Sequence, residues 1–229
     1  WVDDIIVSLD GNEVLHDRIR NIPGAFAKMA EGIRALQELK PAFKITARSV
    51  IHRLNYNAWP EIIEAAQQLG VSRISFLPAD VSSHAFNRQQ AWDNPRQHEI
   101  LPAEEELEDL KAATTYLFTN FKKEFDTRFI AESREKIQDI YYYYAAFYGR
   151  NDFPFKKCNA PWVSTVIEAD GTVRPCFFHD AIGTIHTAGL EEIINSDKAI
   201  AFRKQLDMAN NETCRKCVCY LNLSPGTTL

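Results

Sequence analysis

Between residues 1 and 80 the hydrophobic positions change period several times. Residues 5–9 are a short apolar, β-branched run, the pattern of a strand buried on both faces of a parallel sheet. Phe26, Met29, Ile33 and Leu36 then fall at helical spacing with Pro41 just beyond, which predicts a helix over 25–40. A second strand is expected over 43–51. The next helix is expected over 58–69, with Pro60 in its first turn and Gly70 as its stop. A third strand follows over 73–77, ended by Pro78. Strand–helix units of this length imply parallel strands with right-handed crossovers. Three units do not close a barrel, and they leave raw edges.

Residues 80–101 turn polar, with Ser82, Ser83, Asn87, Gln89, Gln90, Asn94 and Pro95, and read as one long loop. Loops of that length are functional lids or disordered. Two helices are expected over 103–125 and 129–147, the first opened by Glu104-Glu105-Glu106, where the macrodipole favours negative charge. Four adjacent tyrosines, Tyr141 to Tyr144, cannot share one helix face, so half-buried packing is the better reading than a cavity lining. Further on, 163–168 and 172–175 flank Asp170-Gly171 and predict a hairpin. Short helices over 190–195 and 199–206 complete the pattern.

Composition alters this picture little. Hydrophobic residues at 45% and charged residues at 25% suit a globular protein with a real core. No apolar run reaches membrane-span length and the start is not a signal peptide, so no membrane is expected as partner. A net charge of −5 speaks against nucleic acid. The chain opens on Trp1 rather than methionine and enters a strand almost at once, which predicts that it is cut from something longer.

The cysteines carry the chemistry. Cys158, Cys176, Cys214, Cys217 and Cys219 all lie in the C-terminal third. The predicted hairpin delivers Cys176 close to Cys158, and a CxxC follows at 214–217. Two distant thiols and a CxxC make four soft ligands for an iron–sulfur cluster or for zinc, and spacing alone does not choose. Cys219 is either spare or takes the place of Cys217. Lys156, Lys157, Arg215 and Lys216 flank these thiols, either offsetting a cluster's negative charge or simply solvated. Five cysteines around a CxxC in a chain of this size suit a reducing cytoplasm better than a disulfide framework. The remaining candidates are thinner. His52, His84, His98, His179 and His186 form no spaced ligand set. His179-Asp180 reads as a proton-transfer pair near the thiols or as surface residues, the latter preferred. A guanidinium at Arg48, inside an otherwise apolar strand, is expected to be buried and therefore paired.

Taken in order, these segments resemble a known family. Val7-Ser8-Leu9-Asp10-Gly11, then His16-Asp17-Arg18-Ile19-Arg20 and Gly24-Ala25-Phe26, resemble the fourth strand and helix of a radical S-adenosylmethionine enzyme. Ile45-Thr46-Ala47-Arg48-Ser49-Val50-Ile51 with Asn55 resembles the fifth strand, and Gly70-Val71-Ser72-Arg73-Ile74-Ser75-Phe76-Leu77-Pro78 the sixth. Cys158, then Gly171-Thr172-Val173-Arg174-Pro175-Cys176, then Cys214-x-x-Cys217 are similar to the auxiliary-cluster module called SPASM in its shorter twitch form. The family's CxxxCxxC motif is absent, so this chain resembles the C-terminal half of such an enzyme and by itself should not generate a radical.

The resemblance implies an α/β chain in three parts. These are half of a (β/α)6 partial TIM barrel over 1–80, a loop and helical connector over 81–151, and a small α+β SPASM/twitch-like domain over 152–229. It implies an auxiliary [4Fe–4S] cluster on Cys158, Cys176, Cys214 and Cys217, with Cys219 as the alternative ligand. S-adenosylmethionine and a second [4Fe–4S] cluster belong to the full-length enzyme. Ser8, Asp10, Arg20, Arg48 and Leu77 become candidate S-adenosylmethionine contacts: Ser8 on the ribose or methionyl end, Arg48 or Arg20 on the carboxylate, Leu77 on adenine. Otherwise Ser8 and Asp10 merely stop a strand, Arg48 pairs with an internal Asp or Glu, Arg20 is solvated and Leu77 is core. The implied partners are a peptide or small-molecule substrate and a flavodoxin or ferredoxin as reductant. The rival is a non-catalytic zinc- or cluster-binding scaffold.

Overall fold

The computed structural model describes residues 2–85, 88 and 90–224, so that of the positions singled out above Trp1, Asn87 and Gln89 lie outside the described residues, as do 86 and 225–229. It is a mixed α/β fold with one parallel and one small antiparallel sheet. Two compact units emerge: Trp1–Ala79 with Asn94–Asp152, and Asp80–Asp93 with Phe153–Leu229. The polar stretch is therefore not one loop. Its first part goes with the C-terminal unit, and its second part is helical.

In the first unit, β1 (Asp4–Ser8) leads through α1 (Glu13–Arg20) and α2 (Ala25–Leu39) to β2 (Lys44–Ile51). Then come α3 (Trp59–Gln68) and β3 (Ile74–Pro78), and after them α4 (Asn94–Ile100), α5 (Leu107–Asn120), α6 (Lys122–Asp126) and α7 (Arg134–Phe147). The sheet order is β1-β2-β3, all parallel, with Ser8 opposite Arg48 and Arg48 opposite Ser75. Alternation along β2 separates two faces. Ile45, Ala47, Ser49 and Ile51 are buried on one face; on the other Lys44 and Arg48 are exposed, Val50 is half-buried and Thr46 is buried. Trp59, fully buried on α3, stands edge-on to Phe76 of β3 at 5.3 Å, so α3 covers the buried face.

Two expectations are corrected here. The β1 strand is not buried on both faces: Asp4, Ile6 (53%) and Ser8 are exposed while Ile5 and Val7 are half-buried, and among the described residues β1 pairs with β2 alone. Arg48 is not buried either. It lies on the open face and donates from Nε to Ser75 Oγ (3.2 Å), so desolvation does not force a partner on it. The far edge of β3 is closed by the chain after α6. Ile74 N–H donates to the Phe129 carbonyl (2.8 Å), Ala131 N–H to the Ile74 carbonyl (2.9 Å) and Phe76 N–H to Glu132 Oε2 (2.9 Å). Burial raises the Glu132 pKa above its ordinary value, against the pull of that N–H.

The tyrosine run packs as expected. Tyr143 and Tyr144 are buried and Tyr142 is exposed. The Tyr144 hydroxyl accepts from Ala79 N–H (2.7 Å) and donates to the Ile51 carbonyl, joining α7 to the ends of β2 and β3.

The second unit holds α8 (Ala160–Val163), then β4 (Val166–Ile167), β5 (Thr172–Arg174) and β6 (Gly183–Thr184) in an antiparallel sheet. It closes with α9 (Leu190–Ile194), α10 (Asp197–Gln205) and α11 (Glu212–Arg215). The hairpin is shorter than expected because Val163 ends a helix, and β6 adds a third strand. Gly171 supplies the turn at φ 82°, where a Cβ would meet His186 Nε2 at 2.6 Å. A small core of Val173, Ile182, Ile193 and Ala199 fastens the sheet to the helices that lead into the CxxC.

Candidate metal centre

Each cysteine is placed by a local device. Asn159 staples its own segment to the chain end: its N–H donates to the Leu221 carbonyl (2.7 Å), its Nδ2 to the Leu223 carbonyl (2.7 Å), and its Oδ1 accepts from Leu223 N–H (3.0 Å). That brings Cys158 beside the region of Cys219. Cys176 follows β5 past Pro175. Cys214 sits in α11, whose N-cap Asn211 accepts from the Cys214 N–H (3.0 Å). Cys217 N–H then donates to the Cys214 carbonyl (3.2 Å), closing the CxxC turn.

All five cysteines line one cavity, whose other walls include Ala160, Pro161, Phe178, Leu206, Met208 and Tyr220. None is in a disulfide; four are half-buried and Cys219 is exposed. Burial pushes the Cys214 thiol up to about 11 and Cys217 to about 12, and raises Cys176 as well. Backbone N–H groups of Phe178 and His179 pull Cys176 the other way, and those of Cys219 and the Lys156 ammonium do so for Cys217. An apolar wall, an all-sulfur donor set and N–H groups aimed at sulfur fit a bound iron–sulfur cluster, whose binding releases the thiol protons. Among the described residues no group of three or more His, Cys, Asp or Glu side chains is set to hold a metal ion.

Of the flanking cations, Lys156 lines the cavity and Lys216 pairs with Glu212 (2.6 Å). His179 departs from expectation. It is not at the surface but 9% exposed, with Nε2 3.3 Å from Cys214 Sγ.

The other candidates gather at the strand ends of the first unit. Asp10, 4% exposed, accepts from Arg20 Nε (2.6 Å), so these two candidates hold each other. Ser8 is exposed at the end of β1 and Leu77 is half-buried on β3. Asp17 accepts from Gly24 N–H (2.5 Å) and Phe26 N–H (2.8 Å), capping α2. Sequence reasoning missed the buried polar network behind Asp10. His16 Nδ1 accepts from Asp10 N–H (3.2 Å), His52 Nδ1 accepts from Leu54 N–H (3.2 Å), and Asn55 bonds both strand ends. The signal available was His and Asn just past the ends of apolar strands.

Burial lowers the pKa of both histidines below 6.5, with Asp10 opposing and Arg20 reinforcing the shift. The unfolded chain therefore binds more protons than the folded one in the window below 6.5. Stability is full above that value and falls as pH drops through it. Urea midpoints measured between about pH 8 and about pH 5 should decline on the acid side. His52→Asn, which keeps an acceptor but cannot titrate, should flatten the decline. A midpoint independent of pH in that range would show that the imidazoles titrate alike in the folded and unfolded chains.

Among the described residues no helix is long and apolar enough to cross a membrane. Residues 158–218 match the family model of SPASM, an iron–sulfur cluster-binding domain. The chain is also 25% identical over 226 residues to the PqqA peptide cyclase of Granulibacter bethesdensis. That match takes in 94% of this chain and 53% of the cyclase, so the chain spans about half the length of the curated relative it matches. With a SPASM domain matched at the thiol cavity and similarity to the cyclase running along nearly its whole length, this chain is similar to proteins of the radical S-adenosylmethionine/SPASM type.

Proposed function

We propose that this chain is the C-terminal part of a radical S-adenosylmethionine enzyme that modifies a peptide, with an auxiliary [4Fe–4S] cluster held by Cys158, Cys176, Cys214 and Cys217. The observation that carries the reading is the convergence of every cysteine in the chain on one apolar cavity, with Cys158, Cys176, Cys214 and Cys217 inside the matched segment. A peptide substrate is favoured over a small alcohol or sugar by the similarity to a peptide cyclase. When bound, the cluster supplies a one-electron acceptor or an anchor for substrate.

The chain's own residues do the rest. The apolar walls exclude water, Lys156 offsets negative charge beside Cys217, and backbone N–H groups hold the Cys176 sulfur. In the first unit the open face of the sheet is the inner face of a partial TIM barrel. Its row Ser8, Arg48 and Ser75 presents a hydroxyl, a guanidinium and a second hydroxyl in register, suited to the ribose and carboxylate of S-adenosylmethionine. Arg20 holds Asp10 at the strand end, and half-buried Leu77 offers an apolar surface for adenine. A flavodoxin or ferredoxin supplies the electron, in the cytoplasm.

Anaerobic reconstitution of the chain with iron and sulfide should give the broad visible absorption of thiolate-bound iron. Uptake of zinc alone, without that band, would favour the scaffold rival. In the full-length enzyme, Cys176→Ala should leave S-adenosylmethionine cleavage measurable but uncouple it from peptide product. Product at the wild-type rate would end the proposed role of the auxiliary cluster.

A further inference from the structure

We propose that His179 is a positioning residue that donates a hydrogen bond from Nε2–H to the Cys214 sulfur and so raises the reduction potential of the cluster bound there. The inference rests on the cluster reading above and adds a residue that the cysteine pattern does not contain.

The geometry is specific. His179 Nε2 lies 3.3 Å from Cys214 Sγ, within reach for a bond to sulfur. The residue is 9% exposed and its ring stands edge-on to Phe202 with centroids 4.9 Å apart, so it has little room to swing away. Its backbone is fixed too, because Arg174 Nη1 donates to the His179 carbonyl (3.1 Å). The same residue directs its main-chain N–H at Cys176. One residue thus touches a sulfur from the hairpin and a sulfur from the CxxC.

Chemistry fixes the direction of the side-chain bond. A free thiol could donate to the imidazole, but a metal-bound cysteine is a thiolate with no proton to give. With the cluster in place, Nε2 must carry the hydrogen and Cys214 must accept it. Hydrogen bonds to cluster sulfurs are among the levers that set reduction potential. Reduction adds negative charge, which spreads onto the sulfurs, and a donor stabilises that charge more in the reduced state. The effect is larger in an apolar surround than in water.

His179 also forms part of the wall of a second cavity, of about 360 Å³ and mostly polar, which shares Phe178, His179 and Thr213 with the thiol cavity. Cutting the ring back to alanine would join the two spaces and change solvent access along with the hydrogen bond. His179→Phe keeps the wall and the contact with Phe202 while deleting the donor. His179→Gln keeps an N–H at nearly the same reach.

The test compares wild type, His179→Phe and His179→Gln, each reconstituted anaerobically and assayed for iron, sulfide and visible absorption. Redox titration with mediators, followed by electron paramagnetic resonance, then gives the midpoint potential. All three should load. At the wild-type midpoint the phenylalanine variant should show about a tenfold lower ratio of reduced to oxidised cluster, which is about 59 mV for a one-electron couple. The glutamine variant should stay within about twofold of wild type. Should the phenylalanine variant not load, His179→Leu carries the same comparison. A loaded variant lacking the donor but holding the wild-type potential overturns the proposal. So does the strong nitrogen hyperfine coupling of a directly bound imidazole in wild type, which would make His179 a ligand. A wild-type chain that takes up no cluster sinks the cluster reading itself, and the iron assay separates that failure from the other two.

Discussion

Alanine at Cys176 is expected to strip the chain of its cluster, whereas serine at Cys219 leaves it loaded. Under anaerobic reconstitution the wild type should carry about four iron atoms per chain, and the Cys176 variant fewer than about one. The contrast follows from placement. Cys176 is half-buried, held by the β5 strand before it and by two backbone N–H groups aimed at its sulfur. Ala160, Pro161 and Phe178, which line the same cavity, have no donor to give in its place. Cys219, by contrast, is the exposed member of the five, and its N–H serves the Cys217 sulfur. Its loss therefore removes a thiol but not that backbone contact. Alanine at Cys158, Cys214 or Cys217 should behave as at Cys176. If Cys219→Ser empties the site while Cys217→Ser does not, the fourth ligand is Cys219. If every single variant stays loaded, the four-thiol assignment is wrong.

How much of this was legible in the sequence differs between the units. In the first unit, strands and helices declared themselves by change of period and by their terminators, so β2, β3, α2 and α3 fall within a residue or two of expectation. The α1 helix was missed because it has almost no apolar stripe: Val14 is 79% exposed, and only Leu15 and His16 are buried. Its markers are polar, the Asn12 cap and the Asp17 bond to the next helix. Arg48 was misread for a related reason. The alternation Ile45, Ala47, Ser49, Ile51 against Lys44, Arg48 was in the sequence, and it describes a strand with one open face. Treating the strand as buried on both sides concealed that.

In the second unit, thiol convergence could be anticipated, since a hairpin and a CxxC are local structures with known reach. The contact between His179 and Cys214 could not. It joins positions 35 residues apart through the packing of Phe202 and the sheet, and no spacing rule encodes it.

Asn55→Ala should destabilise the first unit by on the order of 3 kcal/mol, a large effect for one small side chain. Asn55 is fully buried just past β2 and uses its whole amide. Nδ2 donates to the Asp10 carbonyl (3.1 Å) and the Val50 carbonyl (3.0 Å), and Oδ1 accepts from His52 N–H (2.9 Å). Removing it leaves two carbonyls and one N–H unmet where water is scarce, at about 1–3 kcal/mol each before relaxation. Asn55→Asp should be worse near neutral pH, since a carboxylate would face two carbonyls with no donor to offer. Burial would raise the pKa of that new acid, and protonation would restore one donor, so the aspartate variant should regain ground relative to alanine as pH falls. Amide hydrogen exchange in β1 and β2 reads this unit alone, and the alanine variant should lose roughly a hundredfold in protection there. Since Asn55 ties the Asp10 carbonyl at the end of β1 to the end of β2, the same change should loosen the placement of Ser8, Asp10 and Arg48. In the full-length enzyme that predicts weaker S-adenosylmethionine binding without loss of the auxiliary cluster. Wild-type protection in β1 and β2 of the alanine variant would mean that water replaces the amide there, and that the strand ends are not held by Asn55.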